Sequence, residues 1–350
     1  MARPSRGDVL ATPADRAACR EAIRQGSRSF HLAGKLLPVE IREPAYAVYA
    51  FCRMADDLVD GADAAPDAIG EVARALDRVY RGRPRATYVE RAFADAVRDH
   101  AIPRDVPEAL VEGLAWDAEG RRYETMSELR AYAVRVAGSV GVMMSLVMDR
   151  REPHVLARAC DLGIAMQLSN ICRDVGEDAR AGRVYLPADA LADAGITASE
   201  VIGMDKSGPG LRGVVEAILA EAERHYTLAG AGIAELPRGA RLGINASRLL
   251  YREIGRMVGR GVDPITTRAV VPGRRKLALL TAAAELPRHD PGALAAPCPA
   301  EAVHLVEAAS RQRVASVAPR RPWWNLSGRA VRLVEMLAEF EAAPAGSKRR

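Results

Sequence analysis

The sequence predicts an all-α fold, and three observations carry that expectation. Ala, Leu, Arg and Glu, all good helix formers, dominate the 350 residues, while β-branched runs are short and aromatics make up only 5%. Gly and Pro punctuate the chain between stretches of helical patterning. Two acidic blocks, Arg53 to Asp60 and Gln167 to Asp178, repeat their carboxylates one helical turn apart and so set them on one helix face. With 49% hydrophobic and 27% charged residues, the chain can bury a large core, in one large domain or two ordinary ones.

Residues 1–13 read as a flexible arm, and helical patterning starts near Pro13. A break at Gly26-Ser27-Arg28-Ser29-Phe30 follows, with serines suited to cap the next helix. A strong helix is expected over 43–60, with Glu43-Pro44 near its start and Gly61 just past its end. Further helices are expected over 67–81, 85–99, 105–121, 126–136, 139–149, 153–179, 211–235, 238–260 and 273–286. Breakers such as Gly208-Pro209-Gly210 and Pro237 separate many of them. These elements make a main domain over 14–287, and the Pro-, Ala- and Gly-rich residues 288–298 read as a linker. The C-terminal extension, 299–350, is expected to hold a helix near 299–316, a Pro-rich turn with Trp323-Trp324, a last helix near 325–342, and the basic tail Lys348-Arg349-Arg350.

Composition excludes several classes of function. The net charge of +5 is spread among interspersed Arg, Asp and Glu, with no basic stripe carrying aromatics, so nucleic acid is not an expected partner. The five cysteines are odd in number and widely spaced, and neither CxxC, Cys/His nor HxxxH pairing occurs; a zinc site or disulfide framework is not supported. Cys52 and Cys172 read as small buried hydrophobes in a reducing compartment. Met1 to Arg16 lacks the apolar region of a signal peptide, and no uncharged apolar stretch reaches membrane-spanning length. A soluble, cytoplasmic protein is expected, with peripheral contact on the inner membrane. Trp323 and Trp324 beside Arg320 and Arg321 suit a membrane interface and equally suit pinning the last helix to the core.

The chemistry is read from the acidic blocks. Tyr49, Arg53, Asp56 and Asp60 follow a spacing of 4, 3, 4, and Gln167, Asn170, Asp174 and Asp178 one of 3, 4, 4, each a stripe along a helix. The opposite faces are apolar, with Phe51, Ala55 and Leu58 in one and Ile164, Leu168 and Ile171 in the other, so both helices belong inside a bundle. Acids there are costly unless paired or metal-bound. One block alone reads more readily as a solvated face with internal Arg–Asp pairs than as a metal site. Two in the same phasing, with Arg53 and Arg173 placed to clamp phosphate oxygens, point to a Mg²⁺ cage for a diphosphate and to chemistry on prenyl diphosphates.

At this point the text of the chain resembles the squalene/phytoene synthase family, and within it the bacterial phytoene synthases. The matching blocks are Gly26 to Phe30, Tyr46 to Arg53 leading into Asp56-Asp57-Leu58-Val59-Asp60-Gly61, Tyr132 to Gly141, Gln167 to Asp178, Gly182-Arg183-Val184-Tyr185-Leu186-Pro187, and Leu236-Pro237 through Tyr251 to Arg268. They cover roughly residues 20–285. The resemblance implies an isoprenoid-synthase helical fold around a central cavity, with the two aspartate-rich helices facing each other across its mouth. It implies Mg²⁺, with Mn²⁺ as the alternative, bound by Asp56 and Asp60 with help from Asp57, and by Asn170, Asp174 and Asp178. Of these, Asp56, Asp60, Asp174 and Asp178 carry catalysis.

Arg53, Arg173 and Arg268 are implied to contact diphosphate, and Ser27, Ser29, Tyr49, Tyr132, Gln167 and Tyr251 to lie near substrate. Ala137, Gly138 and Val140 belong to a small-residue stretch that reads either as a tunnel wall or as a helix crossing or loop. Met143, Met144 and Met148 read as core. Met54 stands where a basic residue is expected, and Gly26 where some relatives carry a polar one.

The implied reaction joins two geranylgeranyl diphosphates head to head. An allylic diphosphate ionises, the cation is attacked by the double bond of the second substrate, and the cyclopropylcarbinyl diphosphate (prephytoene diphosphate) rearranges and loses a proton to give phytoene. The final base is either pyrophosphate or a tyrosine. NADPH is not expected, and downstream carotenoid enzymes are the expected neighbours. The alternatives are a squalene, dehydrosqualene or hydroxysqualene type of synthase using farnesyl diphosphate, or a non-catalytic assembly protein of the same fold.

Overall fold

Residues 9–60, 67–287 and 290–311 are described by the computed structural model, and every element among them is helical. Helix α1 (Pro13–Gly26) opens with a capping box between Thr12 and Asp15. Leu10 and Ala11, in the expected arm, donate their amides to Asp95 at 3.1 and 2.9 Å. Ser27 caps α2 (Arg28–Lys35) by accepting from the Phe30 amide at 3.2 Å. Helix α3 (Val39–Asp60) begins a turn earlier than the Glu43-Pro44 pair suggested. Pro44 sits inside it, near enough the N-terminus for one missing amide to be tolerated.

Helices α4 (Ala68–Tyr80), α5 (Tyr88–His100) and α6 (Asp105–Ala118) follow as expected. The helices expected over 126–136 and 139–149 are joined into one rod. Helix α7 (Met126–Ala133) runs through a π-turn (Val134–Gly138) into α8 (Ser139–Val147). Helix α9 (Pro153–Arg180), about 42 Å long at 1.5 Å per residue, is the axis of the molecule and packs along α8, α12 (Pro209–Glu235) and α13 (Arg238–Gly259).

Two short helices between them, α10 (Ala188–Asp193) and α11 (Ala198–Ile202), are absent from the sequence expectation, although the Thr197/Glu200 capping box marks the second. Helix α14 (Gly273–Ala282) is shorter than expected. The stretch expected as a linker holds a four-residue helix, α15 (Pro291–Leu294), fastened to the bundle where Arg158 donates to the carbonyls of Ala293 and Pro297 at 2.5 and 2.9 Å. A 3₁₀ turn (Ala300–Ala302) leads into α16 (Val303–Arg311) against α6, α8 and α9. Trp323-Trp324, the last expected helix and the basic tail lie outside the described residues.

The core is one continuous cluster, and within it the rings of Phe51 and Phe93 stack with centroids 4.1 Å apart. Two glycines bring α9 against the α7–α8 rod. A Cβ on Gly163 would lie 2.5 Å from the Ala137 carbonyl oxygen, and one on Gly141 would lie 2.5 Å from that of Ala159. The small-residue stretch is thus a helix crossing, and it is also a wall, because Ala137, Val140 and Gly141 line the cavity that the crossing borders. Gly138 is buried but absent from that lining.

Candidate active site

An apolar cavity runs between α2, α3, α8, α9, α12 and α13. Along α9 its lining extends from Asn170 and Gln167 through Met166 and Leu162 to Val155, about 22 Å at 1.5 Å per residue. At the Asn170 end α9 carries Asp174 and Asp178 one and two turns further on, and α3 continues from Tyr49 and Cys52, which also line the cavity, to Asp56 and Asp57. Asp60 ends α3, and its side chain lies outside the description.

An aromatic bridge runs from α3 through α2 to α13. Phe30 stacks on Tyr251 at 4.8 Å and meets Tyr49 edge-on at 6.5 Å. Burial pushes the Tyr49 phenol up to about 12 and raises that of Tyr251, so both stay neutral. Tyr251 is hydrogen-bonded to Ser27 and lies within electrostatic reach of Arg173, Asp174 and Arg268, while Tyr49 lies near Arg53 and Asp56. Ser29, half-buried on α2, is not part of the cavity lining.

Each acidic helix carries its arginines. Arg53 pairs with Asp57 at 2.6 Å and reaches Asp56 at 3.5 Å. Asp174 accepts from Arg173 Nε at 2.7 Å and from Arg268 Nε at 2.8 Å. Burial alone would raise the Asp174 carboxyl, but the two guanidinium groups hold it below the usual carboxylate range. Asp178 has the opposite balance: burial, then the neighbouring charge of Asp174, push it up to about 7 despite Arg183. Arg268 arrives on a loop clamped to α9. The Gly176 amide donates to the Pro264 carbonyl at 3.0 Å, and Arg180 donates to that of Ile265 at 3.3 Å.

Asp117, Arg183 and Tyr185 were not foreseen as site residues. Asp117 on α6 accepts from Tyr132 at 2.7 Å and from Tyr185 at 2.8 Å, and its charge reaches Asp178. Gly182, with φ +74°, ends α9 and turns the chain so that Arg183 and Tyr185 come back beside Asp178. Tyr132, expected near substrate, is buried outside the cavity lining and its hydroxyl serves this Asp117 cluster. Met143 and Met148 belong to the core as expected and Met144 packs against it, and Met144 and Met148 also line the cavity.

Among the described residues no three His, Cys, Asp or Glu side chains cluster as metal ligands. The donors nevertheless suit a hard cation. The buried Asn170 amide oxygen has no hydrogen-bond partner, and the Asp178 carboxyl on the same stripe is pushed up by burial and by Asp174, an excess of negative charge that a cation offsets.

An all-α bundle whose apolar cavity opens between two acid- and arginine-bearing helices defines a prenyl-diphosphate type of synthase fold. The chain matches the squalene/phytoene synthase family over residues 23–276 and belongs to it. It is 47% identical over 312 residues to a phytoene synthase of Rhodobacter capsulatus, covering 86% of this chain and 91% of that one. It is 46% identical over 346 residues to a phytoene synthase of Cereibacter sphaeroides, covering 94% of each. Among solved structures, a dehydrosqualene synthase in complex with ligand superposes with a TM-score of 0.73 at 29% identity, over 78% of this chain and 96% of that one. A squalene synthase from Alicyclobacillus acidocaldarius shares the fold, with a TM-score of 0.65 at 24% identity over 71% and 94% of the two chains.

Proposed function

We propose that this chain is a phytoene synthase, joining two geranylgeranyl diphosphates head to head with loss of both diphosphates. The observation that carries the reading is the continuity of a long apolar cavity with a mouth of carboxylates and arginines. The cavity takes the hydrocarbon and the mouth takes the diphosphate. The 46 and 47% identity to phytoene synthases supports the choice of product.

Arg53, Arg173 and Arg268 release their carboxylates to bind diphosphate oxygens, for which the planar guanidinium is well shaped. Asp56, Asp57, Asp60, Asn170, Asp174 and Asp178 are the residues to hold Mg²⁺. A Mg²⁺ ion held there would supply positive charge to offset that of the leaving diphosphate. The neutral rings of Phe30, Tyr49 and Tyr251 face developing positive charge without capturing it. The apolar walls exclude water that would quench a cation.

No helix among the described residues is long and apolar enough to cross a membrane; the insolubility of the lipid substrates and product supports exchange by peripheral membrane contact. The test is incubation of purified protein with Mg²⁺ and either geranylgeranyl or farnesyl diphosphate, without NADPH, followed by mass spectrometry of the extract. Phytoene from the longer substrate is expected. A product from farnesyl diphosphate alone would move the assignment to a dehydrosqualene type of synthase. Asp56→Ala and Asp174→Ala should each lower turnover about a hundredfold or more while leaving helicity intact; retained turnover would refute the metal cage.

A further inference from the structure

Among the described residues, one charged side chain lines the cavity. Arg158, in the second turn of α9, is fully buried, and its side chain is the only ionisable acid or base of the lining among the described residues apart from the tyrosines and Cys52. It sits at the end remote from the acidic stripes, near Val155, Met148, Ile233 and Leu236. Its charge faces away from the hydrocarbon space. Nε meets Asp161 at 2.7 Å, and the two terminal nitrogens donate to the carbonyls of Ala293 and Pro297. What remains toward the cavity is the aliphatic stem, pressed on α12 where a Cβ on Gly232 would come within 2.4 Å of the Arg158 Cβ.

The segment that Arg158 holds lies beyond residue 276, where the family match stops. It crosses the three helices that close this end of the cavity. Asn245 on α13 donates to the Ala283 carbonyl at 3.0 Å, a Cβ on Gly230 of α12 would touch Pro287 at 3.5 Å, and Arg158 on α9 takes Ala293 and Pro297. Below it, Asp161 accepts from or pairs with His225 at 2.6 Å, so the end is anchored by buried polar contacts rather than by interchangeable apolar packing.

We propose that Arg158 is a specificity-determining residue: its stem, fixed through the carbonyls of Ala293 and Pro297, is the end stop that sets how long a prenyl chain the cavity accepts. The proposal rests on the reading that the cavity holds a prenyl chain. A guanidinium with three fixed partners cannot swing aside as a leucine or methionine can, so a chain one isoprene unit too long meets an unyielding wall.

The experiment measures binding of unreactive thiodiphosphate analogues of farnesyl, geranylgeranyl and geranylfarnesyl chains to the full-length protein, alongside turnover of the reactive substrates. Binding reads chain length even where turnover fails, so a failure of the proposed reaction is distinguishable from a failure of the end stop. Arg158→Met with Asp161→Asn removes the anchors without leaving a buried charge unpaired. It should raise the affinity ratio of geranylfarnesyl to geranylgeranyl analogue by about tenfold or more. Gly232→Ala pushes the stem into the cavity and should move the ratio of geranylgeranyl to farnesyl analogue the other way. A general loss of packing would weaken all three analogues alike. Ratios unchanged in either folded variant, judged by circular dichroism, would overturn the proposal.

Discussion

Gly26 is required by a side chain far along the sequence. A Cβ there would lie 2.2 Å from the Tyr49 hydroxyl oxygen, so any larger residue displaces the ring that bridges α3 to Phe30. Gly26→Ala should lower turnover about tenfold or more, as displaced substrate-positioning groups do. It should change stability by no more than about 1 kcal/mol, since Ala is at least as good a helix residue. Steady-state kinetics and thermal melting separate the two effects. Comparison with relatives singled Gly26 out as a departure without giving a reason, because the reason lies in a contact that no local pattern encodes. The stripes were legible for the opposite reason: Tyr49, Arg53 and Asp56, or Gln167, Asn170 and Asp174, are related by helical spacing alone. Asp117 and Tyr185 stand on other elements and were not legible.

The loop that delivers Arg268 shows how one element positions another. It is held by Asp263, whose carboxylate accepts the amides of Ser207 and Ile265 at 3.2 and 3.0 Å, and by its docking on α9. Docking needs Gly176, where a Cβ would lie 2.2 Å from the Ile265 carbonyl oxygen. Gly176→Ala should lift the loop and raise KM for the diphosphate about tenfold, close to 1.4 kcal/mol, with a smaller effect on kcat. Adding Arg268→Ala should then cost less than it does alone, a coupling that a double-mutant cycle measures. Additive costs would mean that Arg268 is positioned independently of the loop. Long helices were legible from periodicity and breakers. The π-turn was not, since Val134 to Gly138 has the composition of any helix, and α10 and α11 are too short to display a period.

The whole bundle is also tied at its rim, away from the cavity. Asp15 on α1 is buried and accepts from Arg91 on α5 at 2.6 and 2.9 Å, as well as from Thr12. The Arg91 hydrogen bonds lead the effects that hold its carboxyl down to about 2, against an ordinary 3.8. The folded form therefore binds this proton less readily than the unfolded one. The stabilisation is complete above the ordinary value and is lost as pH falls toward about 2. Asp15→Asn should cost about 3 kcal/mol at neutral pH and show a flatter acid limb, the two proteins converging near the bottom of that window. Urea melts across the acid range would test this, and parallel acid limbs would refute it. The architecture was legible as an all-α bundle, but which surface segments are fastened to it was not: Leu10, Ala11 and the stretch around Ala293 are held through main-chain groups, which any sequence possesses.

The crossing of α8 and α9 gives the cavity two mechanically different sides. Where Gly141 meets Ala159 and Gly163 meets Ala137, main chain rests on main chain, and no side chain is left to yield. Met144, Met148 and Met166 are the pliant members of the lining, since an unbranched thioether changes rotamer at little cost. A hydrocarbon that changes shape during a reaction therefore slides along a stiff rail and presses into a cushion. Compliance is confined to movements that keep the chain aligned with α9, and sideways escape is resisted by the backbone itself.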